Sequence, residues 1–111
     1  MLVKRKKVLY GSIKLPKKNK KTPKQMERHL KGVANHRRIE ILFLIADNNG
    51  ISVDYISERL HCNMKTISSH IWRLEQAGLI RKKYKGRAVT HELSPYGKIL
   101  HKFLTAFQYP V

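Results

Sequence analysis

The apolar period of this 111-residue chain changes twice, and those changes restrict its fold more than any other feature. Up to Gly78 the apolar residues recur at spacings of three and four; from Leu79 to Leu93 they alternate; after Ser94-Pro95 the longer spacing returns. The first pattern reflects the turn of a helix and the second the two faces of a strand. One hairpin set among helices is therefore expected, each element turning its apolar side to a shared core.

The helices can be placed from their ends. Met26, Leu30 and Val33 mark an amphipathic first segment, and Gly32 leaves its junction with the next continuous, kinked or broken. Asn35 can cap a second helix whose Ile39, Ile41, Leu42, Phe43, Leu44 and Ile45 leave almost no polar side. Such a helix needs cover all round, and a second subunit is expected to supply part of it. Asn48-Asn49-Gly50 is a turn signal, and Ser52 caps a short helix with Asp54 in its first turn and Val53, Ile56 and Leu60 on one face. After the break His61-Cys62-Asn63, a longer helix runs from residue 64 to about 77, with Ile67, Ile71 and Leu74 as its buried stripe. Gly78 sits where a left-handed terminal residue is wanted. Residues 79–84 and 88–93 read as strands around Lys85-Gly86-Arg87. Ser94-Pro95 opens a last helix with Ile99, Leu100, Phe103, Leu104 and Phe107 on its apolar face.

Charge narrows the partners. The chain carries 24 Lys and Arg against seven Asp and Glu, a net +17. Residues 1–24 hold ten of those cations and no acid, so both the N-terminal part and the remainder are basic, as suits a polyanion binder. Residues 1–23 read as a flexible basic arm, because like charges at the density of Lys17, Lys18, Lys20 and Lys21 repel one another. Within it, residues 8–13 could form a short strand or dock on a partner. These four lysines are candidate phosphate contacts.

A short helix, a tight break and a longer helix opening with small polar residues describe a helix-turn-helix. Its second helix enters the major groove by its N-terminal part. The candidate contacts there are Asn63, Lys65, Thr66, Ser68, Ser69, His70 and Arg73, since Lys and Arg donate to guanine or phosphate and Ser adapts to several base edges. His70 has two readings, a contact to DNA or a helix-surface histidine bonded within its own domain. Trp72 is expected to be a packing residue.

The string Ile51-Ser52-Val53, then Thr66-Ile67-Ser68-Ser69-His70-Ile71, then Leu74-Glu75-Gln76-Ala77-Gly78-Leu79-Ile80 resembles the ArsR-type winged helix-turn-helix signature without a gap. Leu30 to Leu42 resembles that family's first helices, and Glu92-Leu93-Ser94-Pro95-Tyr96-Gly97 is similar to the strand-to-helix junction of winged-helix regulators. The resemblance implies a mainly α fold with a small β-hairpin wing, occupying residues 24–108. It also implies a homodimer through the first and last helices, and a wing lying on the DNA backbone or in the minor groove. Arg81, Lys82, Lys83, Lys85 and Arg87 suit that wing, since five cations on one hairpin have no use in a core.

The metal-sensing members of that family use paired cysteines in the first helix of the motif, or Asp, His and Glu on the last helix. Here Val53, Asp54 and Tyr55 stand at the first place, and a single His101 at the second. His61 beside Cys62 is the one suggestive doublet, short of the three or four ligands a transition metal needs, so Cys62 reads as core and neither metal nor cofactor is expected. One cysteine allows no internal disulfide and fits a reducing compartment. No apolar run approaches a membrane span or a signal peptide, so a cytoplasmic, DNA-associated protein is expected. Catalysis is not: there is no phosphate loop, no helical His pair and no nucleophile elbow. The expected function is sequence-specific binding of duplex DNA by a transcriptional regulator. Its rivals are a non-specific architectural or RNA-binding protein using arm and wing, and a protein-interaction module.

Overall fold

The computed structural model describes residues 20–111. Lys17, Lys18 and the segment 8–13 lie outside the described residues. The elements run α1 (Pro23–Val33), α2 (His36–Asp47), α3 (Val53–Leu60), α4 (Met64–Gln76), β1 (Ile80–Lys85), β2 (Ala88–Leu93) and α5 (Pro95–Phe107).

Side chains at the helix starts take up N–H groups that have no intrahelical acceptor. Thr22 and Gln25 form a reciprocal capping box on α1, with Pro23 at its first position. Asn35, Ser52, Asn63 and Ser94 cap α2 to α5. The junction at Gly32 is a break: α1 ends at Val33 and α2 begins at His36. Gly32 has a second role, since a Cβ there would collide with the Cβ of Ala77 where α1 crosses the end of α4. Gly97 is similarly confined, against the backbone carbonyl of Leu79.

The core is one cluster. Ile41, Leu42, Ile45, Ile56, Ile67, Leu74 and Leu79 are fully buried in it, with Ile39, Leu44, Ala46, Leu60, Cys62, Leu100 and Leu104 packed around them. Helix α2 is its axis and touches α1, α4, α5 and β2. Within the subunit Ile41, Leu42 and Ile45 are buried, while Ile39, Phe43 and Leu44 stay half-buried, Phe43 with the His101 ring edge-on at 5.0 Å.

Many of the apolar residues left at the surface belong to the first and last helices, with Met64, Trp72, Tyr84 and Val89 exposed elsewhere. On α1 only Val33 of the expected stripe is buried; Met26 and Leu30 are exposed, and His29 takes the inward position. The His29 Nδ1–H donates to the Ala77 carbonyl at 2.5 Å, the ring packs on Tyr96, and Nε2 is buried without a partner among the described residues. On α5, Leu100 and Leu104 meet the core while Ile99, Phe103 and Phe107 face outward, the two phenylalanine rings stacked at 5.4 Å.

The hairpin pairs β1 and β2 antiparallel from Ile80↔Leu93 to Lys85↔Ala88. Gly86, at φ 61°, occupies the first position of its two-residue turn, where a hairpin needs the left-handed region. A bridge between Ile51 and His91 ties the hairpin base to the chain ahead of α3: His91 N–H donates to Ile51 O at 2.9 Å, and Gly50 N–H to His91 O at 3.0 Å. Among the described residues no helix is long and apolar enough to cross a membrane.

Candidate nucleic-acid interface

The break between α3 and α4 is held by its own backbone. His61 adopts the left-handed conformation at φ 51°, the Cys62 N–H donates to Ser57 O at 3.1 Å, and the Ser57 hydroxyl donates to the Cys62 carbonyl. Ile56 beneath and Ile67 above then face one core. With Ile67, Ile71 and Leu74 turned inward, the 100° step of the helix puts Lys65, Thr66, Ser69 and Arg73 on one outward arc, with Ser68 and Trp72 on one flank and His70 on the other. Asn63, Lys65, Thr66, Ser69 and His70 line a shallow concavity at the start of α4. Asn63 serves first as the cap, its Oδ1 accepting the N–H groups of Lys65 and Thr66 at 2.7 and 3.4 Å.

His70 is half-buried and bonded within its own domain, the second of its two expected readings. Its Nδ1 lies 3.2 Å from Arg38 Nη1, and Arg38 Nε donates to Gly32 O at 2.6 Å. Partial burial, and then Arg38, Arg73, Arg37 and His36 around it, hold the imidazole below its ordinary pKa, so it is neutral at neutral pH. Sequence reasoning missed Arg38. It stands 32 residues from His70 and reads as a surface cation in the first turn of α2, with nothing in the local pattern pointing to its partner.

The wing cations are not equivalent. Arg81 and Lys83 reach Glu92 at 3.3 and 3.6 Å, and Glu92 is largely covered. Lys82, Lys85 and Arg87 are exposed and pair with no carboxylate among the described residues. Tyr84, 71% exposed, stands opposite Val89 on the face that carries Lys82. Of the arm lysines within the described residues, Lys20 is exposed and Lys21 lies over the Tyr96 ring at 3.9 Å, placing the root of the arm against the start of α5.

Trp72 corrects another expectation: it is 57% exposed and packs into no core. It borders a groove between α1 and the end of α4, lined also by Arg28, Lys31, Arg38 and Arg73. The inner arc of α4 is already filled by three aliphatic residues, which leaves position 72 outside. Arg28 Nη1 donates to the Gln76 carbonyl at 2.7 Å, closing the C-terminal end of α4. Among the described residues no three His, Cys, Asp or Glu side chains come together as a metal site, and Cys62 packs half-buried against the core.

A break-linked helix pair, an open polar arc and a two-stranded basic wing together define a winged helix-turn-helix, and the chain belongs to the winged-helix transcriptional regulators. Residues 34–85 match the MarR family. Over 65 residues the chain is 35% identical to the transcriptional activator HlyU of Vibrio cholerae serotype O1, a stretch that covers 59% of this chain and 59% of that protein. The structure of HlyU from Vibrio cholerae N16961 matches at TM-score 0.68 and 30% identity, covering 75% of this chain and 90% of that one. The fold is shared as well with a homodimeric winged helix-turn-helix DNA-binding domain from Mycobacterium bovis, described as a possible ArsR-family regulator. That match has TM-score 0.70 at 24% identity, over 77% of this chain and 79% of the other. MarR-family and ArsR-like relatives thus meet on one architecture.

Proposed function

We propose that the protein is a homodimeric, sequence-specific regulator of the ArsR-like branch that reads duplex DNA with the start of α4 and steadies it with the wing. The observation that carries this reading is the outward arc of α4. Lys65, Thr66, Ser69 and Arg73 are exposed, converge on one side, and stand on a helix fixed by three buried aliphatic residues, so the contact groups are held before DNA arrives. Lys82, Lys85 and Arg87 supply the free wing cations, and the arm lysines add charge that binds phosphate irrespective of sequence.

Dimerisation is supported by the exposed Met26 and Leu30 on α1 and by Ile99, Phe103 and Phe107 on α5. Five large apolar side chains on the two helices that flank the domain have no use in water, and a two-fold axis through them lets two α4 helices meet one duplex. The site is then a rough palindrome with half-sites about one helical turn, or a multiple, apart.

The test is selection from genomic duplex fragments at near-physiological salt, with the full chain and with a chain lacking residues 1–19. A palindromic motif recovered by both, with weaker binding after truncation, supports the regulator. The charge of +17 favours one rival, a non-specific architectural or RNA binder. That rival predicts no motif, collapse of binding without the arm, and competition by RNA equal to that by DNA.

A further inference from the structure

We propose that Arg38 is a positioning residue for DNA binding, holding His70 as the tautomer whose Nε2–H is presented to a phosphate of the duplex. The inference rests on the DNA-binding reading and adds to it a residue from outside the helix-turn-helix.

The chemistry of the pair decides the tautomer. A guanidinium has five N–H donors and no acceptor, so Nδ1 of His70, 3.2 Å from Arg38 Nη1, must offer its lone pair. The single proton of the neutral ring then sits on Nε2. That nitrogen bonds to no group among the described residues, and the residue is only half-buried. The ring also lines the concavity at the start of α4, beside Lys65, Thr66 and Ser69. Arg38 is itself fixed from the other side by its Nε bond to Gly32 O at 2.6 Å, where α1 ends. The ring orientation thus passes from the α1–α2 junction through Arg38 to the recognition helix.

The charges around the ring all have one sign. Arg38, Arg37 and His36 on α2 and Arg73 on α4 all weigh against a proton on His70, and no carboxylate among the described residues offsets them. Protonating Nδ1 sets a second donor against Arg38 and adds a cation to that group, so the free protein keeps the ring neutral. A phosphate at Nε2 brings the only negative charge.

The test follows the His70 ring by nitrogen-detected NMR, in the free protein and with the duplex recovered by selection, or with random duplex at low salt if no motif emerges. The expected result is a neutral ring protonated on Nε2 from about pH 6 to 8, with the Nε2–H resonance displaced by DNA. Arg38→Gln is then expected to let the ring titrate. Affinity of this variant should rise several-fold from about pH 7.5 to 6, since binding now takes up part of a proton, while wild-type affinity changes less. The added dependence should vanish in Arg38→Gln/His70→Gln. A wild-type ring protonated on Nδ1, or one whose Nε2–H ignores DNA, overturns the proposal without any variant having to fold. If the duplex binds with a motif and these signatures are missing, the positioning role fails alone. If no duplex binds, both readings fail together.

Discussion

Two histidines of this domain are held neutral, and each makes stability depend on pH in the same direction. His91 is buried and donates from Nδ1 to Ile51 O at 3.3 Å. Its burial outweighs that bond and the pull of Glu75, and Lys82 adds to the downward shift, so the ring resists protonation in the native state. The unfolded chain protonates it near the ordinary value of about 6.5, and so binds more protons below that pH. The contribution is complete above about pH 6.5 and declines as pH falls toward the lower native value. His70 acts in the same sense. Urea midpoints should therefore fall between about pH 7.5 and 5.5, and His91→Gln, whose amide can still donate to Ile51 O, should flatten the decline. An unchanged pH profile in that variant would show that His91 is not the titrating group. At His61 the constraint is conformational. A side chain at φ 51° is strained, so His61→Gly should leave stability unchanged or raise it by up to about 1 kcal/mol in thermal unfolding, and His61→Val should lower it.

Among the elements, the α1–α4 crossing and the wing make separate demands. Gly32 lets the end of α1 lie against Ala77, and Gly32→Ala forces two Cβ atoms together. A cost of about 1–3 kcal/mol is expected from such overpacking, read by denaturant titration. Ala77→Gly in the same chain should recover part of it. If the double variant is no better than the single, the clash is not the cause. In the wing, Glu92 engages Arg81 and Lys83. Glu92→Gln releases both cations toward DNA, so non-specific affinity should rise and the dependence of log affinity on log salt should steepen by about one to two units. Lys82→Ala or Lys85→Ala should shift that slope the other way, with little change in which sequences are preferred.

For the whole molecule, the partition of apolar surface matters most. One buried cluster forms the interior of the chain, while α1 and α5 leave Met26, Leu30, Ile99, Phe103 and Phe107 in the open. Phe103→Glu, at a side chain 55% exposed, should therefore produce a folded monomer, with unchanged helicity by circular dichroism and half the dimer mass by light scattering. Binding to a two-half-site duplex should weaken by orders of magnitude, while binding to a single half-site should barely change. A variant that stays dimeric would place the interface elsewhere.

The order of helices, the hairpin and four of the caps follow from the chain itself, because period, capping side chains and turn residues act over a few neighbours. The polar arc of α4 was legible for the same reason: Ile67, Ile71 and Leu74 fix which way Lys65, Thr66, Ser69 and Arg73 must point. The capping box of Thr22 and Gln25 is equally local, although the run of lysines extends the expected arm past Thr22. Only the tertiary structure decided that Trp72 stays outside and that His29 goes in. It alone paired Glu92 with two wing cations and Arg38 with His70. Each of these depends on which surfaces meet across long stretches of chain. A sequence period states that a face must be buried, but packing alone chooses what buries it.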